Sequence, residues 1–272
     1  MHNEVTGDGM ASEKKADKPK KVRYHLLDTV RGFAVVGMIC YHVIFDLPSY
    51  FNIDISFVNS YPSLMTEQFI RIVFFFLSGY CCLLGKHPVK RGLTVSAAGL
   101  IVTLVSIITK VDPPIYFGVL TCIGACMLLS IPFRNIKEKK HFIILFIVGL
   151  LLFILTLHMQ FGYFGPLQVP LFYFPDFLYG AKHPVMVVLT AFIGFPGEGF
   201  SSSDYFPIMP WFFLFLSGMG LYGWMGEKIK KLSVMKLRIE PFTFLGKYAL
   251  WVYLLHQPLV LGILWGISMF VK

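Results

Sequence analysis

The sequence predicts an all-α fold, a polytopic helical bundle of about seven membrane-spanning helices with a short re-entrant or interfacial segment near 184–196. Three observations lead there. The 272 residues are 56% hydrophobic and 17% aromatic with only 14% charged, outside the range of soluble globular domains. Several apolar runs reach 17 residues or more, as bilayer-crossing helices require, and none alternates apolar with polar residues as a barrel strand does. Finally, the net charge of +9 is concentrated in short connecting segments, a pattern that sets membrane orientation rather than one that binds nucleic acid.

In chain order, residues 1–22 are polar and Lys-rich without hydrophobic periodicity, which reads as a disordered basic cytoplasmic tail. The first apolar segment is too long for a secretory signal and lacks a small-residue cleavage site. Candidate spans follow at 26–46, 65–85, 93–109, 115–133, 142–158, 207–226 and 243–270. Of the Lys and Arg residues, six lie at 14–23, three at 86–91, four at 134–140 and five at 228–238, with Lys247 beside them. Lys110, Lys182 and Lys272 fall on the other side. That asymmetry predicts a cytoplasmic N-terminus, seven spans and a plasma-membrane location. Residues 184–196 are apolar but short, and a full crossing there would carry the 228–238 cluster outside. The stretch 159–206, rich in Gly, Pro and aromatics, is long enough to cap a cavity. The five cysteines lie within apolar segments without metal-ligand spacing and read as buried free thiols; no metal site is expected.

The candidate chemistry centres on the first span, which carries Asp28, Arg31, His42 and Asp46. Charges at membrane depth are costly and face a protein interior or a watery cavity. Arg31 and His42 are eleven positions apart, so they share one helix face at about 16 Å along the axis. A fixed cation near one end and a titratable base deeper in suit an anionic donor and an acceptor to be deprotonated. Asp28 stands one turn before Arg31, and Asp46 stands one turn after His42, where it can orient the ring. In the second span Glu67 and Arg71 form an i, i+4 pair that either ties helices together or supports His42 and the acceptor. Ser78 and Gly79 in Phe74-Phe75-Phe76-Leu77-Ser78-Gly79 allow close helix approach, and Phe213–Gly218 echoes that run. Asp204 reads as a helix cap before Pro207 and Pro210, and Trp211 as part of an interfacial belt. In the last span Pro258 frees backbone carbonyls near His256 and kinks the helix; His256 either serves the site or packs within the helix.

Leu27-Asp28-x-x-Arg31-Gly32 with His42 eleven positions beyond Arg31, the Phe-Phe-x-Leu-Ser-Gly run, Asp204-Tyr-Phe-Pro-Ile-Met-Pro-Trp211, and Gly246-x-x-Ala-Leu-x-x-Tyr-x-x-His256-x-Pro258 together resemble the transmembrane acyltransferases. This group includes the acyltransferase-3 proteins and the heparan-α-glucosaminide N-acetyltransferase catalytic domain, whose small bacterial relatives the chain resembles most. The resemblance implies a single integral-membrane acyltransferase-like domain over 23–272. It implies a cytosolic acyl-CoA donor, acetyl-CoA above others, held near Arg31 and Asp28, and His42 as the catalytic histidine. The acceptor is then a hydroxyl or amine of a sugar or glycan, with Asp204 facing the same cavity. Two routes stay open, direct transfer or a transient acyl-histidine, and a homodimer is compatible with either. Two other readings remain: a proton- or anion-coupled transporter using the same intramembrane residues, and a scaffold without activity.

Overall fold

The computed structural model describes residues 23–51, 56, 60–166 and 169–271; the expected tail at 1–22 lies outside them. Nine α-helices are described: α1 (His25–Phe51), α2 (Tyr61–Cys82), α3 (Pro88–Ile108), α4 (Val119–Leu129), α5 (Lys139–Thr156), α6 (Pro184–Ile193), α7 (Ile208–Ile229), α8 (Phe242–Lys247) and α9 (Ala249–Val271). Two-residue strands β1 (Tyr163–Phe164) and β2 (Phe172–Tyr173) pair antiparallel within the long connection to α7. Six of the helices, α1, α2, α3, α5, α7 and α9, are long and apolar enough to cross a membrane. Proline opens α2, α3 and α6, where its missing N–H costs nothing.

Side-chain neighbours fix the direction of each helix. Arg31 meets Cys81 and Tyr41 meets Glu67, so α1 and α2 run antiparallel. Arg71 lies over Phe206, Phe75 stacks on Trp211 and Tyr80 meets Tyr222, so α2 and α7 run parallel. A Cβ at Gly92 would touch Leu128 and one at Gly99 would touch Thr121, which makes α3 and α4 antiparallel. By the same test Gly149 faces Phe213 and Gly220 faces Phe146, so α5 opposes α7. Gly246 presses on the Asp28 carbonyl and His256 meets His42, so α8–α9 runs with α1. The chain therefore alternates through seven traverses. All the Lys- and Arg-rich connections gather at the end where α1 begins, called here the proximal end.

The fourth traverse differs from the expected span at 115–133. Its α-helix has 11 residues and is extended by a 3-10 helix, Ile131–Asn135. It still passes from the level of Phe206, whose N–H donates to the Phe117 carbonyl, to that of Cys82, whose Sγ lies 3.6 Å from Ser130 Oγ. Arg134 then donates to the carbonyls of Cys82 and Gly85, satisfying the open end of α2. The seventh traverse is broken: α8 and α9 meet at Tyr248. Segment 184–196 forms the ten-residue α6, about 15 Å long. It packs at the distal end, where Tyr205 Oη donates to the Ala191 carbonyl.

The largest core lies between α2, α4, α5 and α7 and holds Phe75, Cys122, Cys126, Trp211, Leu214 and Phe215. Trp211 is 5% exposed, stacked on Phe75 and packed against the tilted Phe206 ring, so it is a core residue and not a member of an interfacial belt. Cys81, Cys82, Cys122 and Cys126 are buried free thiols as expected; Cys40 departs from that and faces outward from α1.

Candidate active site

The polar residues of the bundle form two groups on α1, one proximal and one distal. The proximal group is built on Asp28, which is 7% exposed. Its carboxylate accepts from Arg23 Nε at 2.6 Å and from an Arg31 nitrogen at 3.3 Å. The Arg31 guanidinium also reaches the Gly246 carbonyl and Cys81 Sγ, both at 3.4 Å. Two cations thus share one carboxylate, leaving a local surplus of positive charge. They border a cavity of about 260 Å³, also lined by Tyr24, Leu27 and Cys81. The close approach of α8 depends on two glycines. A Cβ at Gly32 would fall 1.9 Å from the Phe242 carbonyl oxygen, and one at Gly246 would fall 1.7 Å from that of Asp28. Thr29 and Thr243 hydroxyls, 2.8 Å apart, close the same seam.

The distal group draws on α1, α2, α9 and the segment before α7. The ring of His42 stands edge-on to that of His256, with centroids 4.9 Å apart. His42 Nδ1 donates to the Met38 carbonyl at 2.8 Å, so the backbone of its own helix orients the ring. The expectation that Asp46 orients it is revised, because the Asp46 carboxylate accepts from Gln257 Nε2 at 2.8 Å. On α2 Arg71 and Glu67 form the expected ion pair, and Glu67 also accepts from Tyr41 Oη at 3.1 Å. Arg71 covers the Phe206 ring at 5.0 Å from its centroid, a favourable cation–π contact.

Asp204 does not cap α7; it accepts from Tyr253 Oη at 3.3 Å and stands beside the start of α4, where a Cβ at Gly118 would fall 3.2 Å from its Oδ2. Burial pushes the Asp204 carboxyl above its ordinary range, against the opposing pull of Arg71 and His42. Nearby Tyr205 is likewise pushed up by burial.

Of the residues singled out from sequence, His42, Asp46, Glu67, Arg71, Asp204 and His256 converge distally, and Asp28 and Arg31 are proximal. Trp211 joins neither group and instead backs Phe206 from the core. Between the groups lies an apolar layer of Ala34, Met38 and Ile70. Sequence reasoning passed over Tyr253, Gln257, Tyr41, Arg23 and Cys81. Tyr253 was detectable, being three positions before His256 on the same helix face. Gln257 carried no such signal, since its partner lies on a helix more than 200 residues away.

Helices of this length and direction around buried ionisable groups define a multi-pass membrane protein with a polar centre. The match to a family model then identifies the lineage. Residues 23–258 match the model of the heparan-alpha-glucosaminide N-acetyltransferase catalytic domain, and the chain belongs to that family of membrane acetyltransferases. No curated protein and no solved structure matches the chain.

Proposed function

We propose that the protein transfers an acyl group, acetyl in the first instance, from cytosolic acyl-CoA to a hydroxyl or amine of a sugar or glycan on the opposite side of the plasma membrane. The observation that carries this reading is the two-station layout of α1. A cation-rich cavity opens at the proximal end, and a ring with a free basic nitrogen stands three turns deeper on the same helix. The proximal end, with its Lys and Arg, faces the cytoplasm by the positive-inside rule. Arg31 then holds the phosphates or pantetheine arm of the donor, since guanidinium pairs bidentately with phosphate and stays charged. Asp28 holds Arg31 in place and stops its charge from being spent on the bundle interior. The acyl end is directed along α1 toward His42, which requires the Ala34–Met38–Ile70 layer to part.

His42 acts as general base. Its Nδ1 hydrogen is fixed on the Met38 carbonyl, so Nε2 presents a lone pair to the acceptor. The acceptor nucleophile attacks the thioester carbonyl, the carbon–sulfur bond breaks, and the nucleophile's proton moves to Nε2. Arg71, Glu67 and Asp204 form the wall against which the acceptor is oriented.

Binding of acetyl-CoA to the purified protein in detergent tests the donor station. We expect saturable binding that falls about tenfold or more in Arg31→Ala, the loss of one charge-assisted contact, and is kept in His42→Ala. His42→Ala should abolish transfer. If wild type binds neither acetyl-CoA nor longer acyl-CoAs, the reading is overturned, and proton or anion flux in liposomes becomes the next measurement.

A further inference from the structure

His256 is 7% exposed and lies against His42, yet its Nε2 has no hydrogen-bond partner among the described residues. Its Nδ1 is 2.6 Å from the Tyr253 carbonyl. A carbonyl only accepts, so Nδ1 carries the hydrogen and Nε2 of the neutral ring is a lone pair. His42 is held in the same way by Met38 and has the same tautomer. Two imidazoles are thus fixed 4.9 Å apart, planes at 73°, each with its donating nitrogen already occupied by backbone. Neither neutral ring can donate to the other.

The surrounding groups do not supply the missing donor. On α1, Asp46 is engaged by Gln257. On α2, Arg71 is paired with Glu67, which also takes Tyr41. Tyr253 on α9 gives its hydroxyl hydrogen to Asp204. A buried acceptor left alone in this way is costly, and the arrival of a proton on the neighbouring ring removes the cost.

We propose that His256 is a positioning residue that acts through His42 by sharing the proton His42 takes up. This rests on the reading of His42 as general base. In the transfer step the acceptor's lone pair forms a bond to the acyl carbon, and the carbon–sulfur pair leaves on the thiolate. The acceptor proton passes to His42 Nε2, where it becomes a donor to His256 Nε2. The same proton then leaves to neutralise the thiolate, and both rings return to their starting tautomers. His256 thereby stabilises the charged His42 without binding donor or acceptor.

Nitrogen-15 spectra of the histidine-labelled full-length protein in nanodiscs, without substrate, test the pairing directly. Signals of the two rings are assigned by their loss in single variants. At high pH both Nε2 atoms should be unprotonated. On acidification the first proton should move the Nε2 resonances of both rings together. His256→Phe should leave the acetyl-CoA Kd unchanged while lowering kcat about tenfold to a hundredfold, the worth of one hydrogen bond to a charged group. His256→Gln, which returns an acceptor oxygen near the same place, should recover most of that loss. A hydrogen on His256 Nε2 in the neutral protein, independent titration of the two rings, or an unchanged kcat in His256→Phe would each overturn the proposal. Where His256→Phe fails to fold, His256→Gln and His42→Gln supply the assignment and the wild-type spectrum still decides it. Lack of acetyl-CoA binding by wild type would instead remove the donor reading and leave the spectral result standing.

Discussion

Asp204 carries a carboxyl that its surroundings hold toward the neutral form. Burial is the largest influence, and the attraction of Arg71 and His42 and the hydrogen bonds from Val119 and Tyr253 only partly oppose it. A carboxyl raised in the folded state binds its proton more tightly folded than unfolded, so its contribution to stability is complete below the ordinary value of 3.8. That contribution is lost as pH rises through the folded value. Asp204→Asn should therefore gain on wild type in thermal midpoint as pH rises above 3.8, measured by thermal unfolding in detergent. A gap that stays flat, or that closes with rising pH, would mean that attraction to Arg71 outweighs burial. At this scale the sequence revealed residue types but not all partners. The i, i+4 rule found Glu67 with Arg71, because both ends of that bond lie on one helix. The same rule misplaced Asp46, since Gln257 approaches from α9 and a contact between distant segments has no local periodicity. Asp204 was read as a cap on the helix that follows it, and its contact with Tyr253 on α9 was not legible, for the same reason.

At the scale of elements, the two Leu-Ser-Gly runs explain how α2 and α7 pack. A Cβ at Gly79 would lie 1.9 Å from the Phe215 carbonyl oxygen, and one at Gly218 would lie 2.0 Å from that of Phe76. The contacts are reciprocal: each run's glycine meets the phenylalanine three positions before the other's. The echo between 74–79 and 213–218, suggestive of a repeat, is thus a matched pair of contact surfaces. Such an approach leaves no room for a methyl group, and it is how small residues bring apolar helices together. Gly79→Ala or Gly218→Ala should destabilise the protein by about 1–3 kcal/mol or more, the usual cost of overpacking. Gly262→Ala on α9, where nothing lies within 4 Å, should be neutral. Equal effects at Gly79 and Gly262 in detergent unfolding would contradict the packing argument. Length and hydropathy located the long helices and marked the fourth and seventh traverses at 115–133 and 243–270, but the breaks within those two escaped them. Hydropathy does not register that α4 gives way to a 3-10 turn, nor that α8 must stop where Gly246 meets the Asp28 carbonyl.

For the molecule as a whole, the strongest constraint is the parity of the traverses. Neighbour contacts show α9 running with α1, and an odd number of crossings is the only way the chain can achieve that. Six helices meet the length of a bilayer by themselves, and an even count would put both chain ends on one side. The short α4 must therefore cross too, helped by its 3-10 extension and by its position inside the bundle, covered by α2, α3 and α7. Burial of this kind is what makes a short or broken helix tolerable at membrane depth, because its free backbone groups face protein rather than lipid. In the orientation proposed above, the Lys- and Arg-rich proximal end faces the cytoplasm. A fluorescent-protein fusion at the N-terminus should then be bright, while an alkaline phosphatase fusion after Lys272 should be active and a fluorescent one there dark. Activity of a phosphatase placed in the 230–240 connection would require α6 to span the bilayer. That result would also break the parallel pairing of α1 and α9 and with it the approach of His256 to His42.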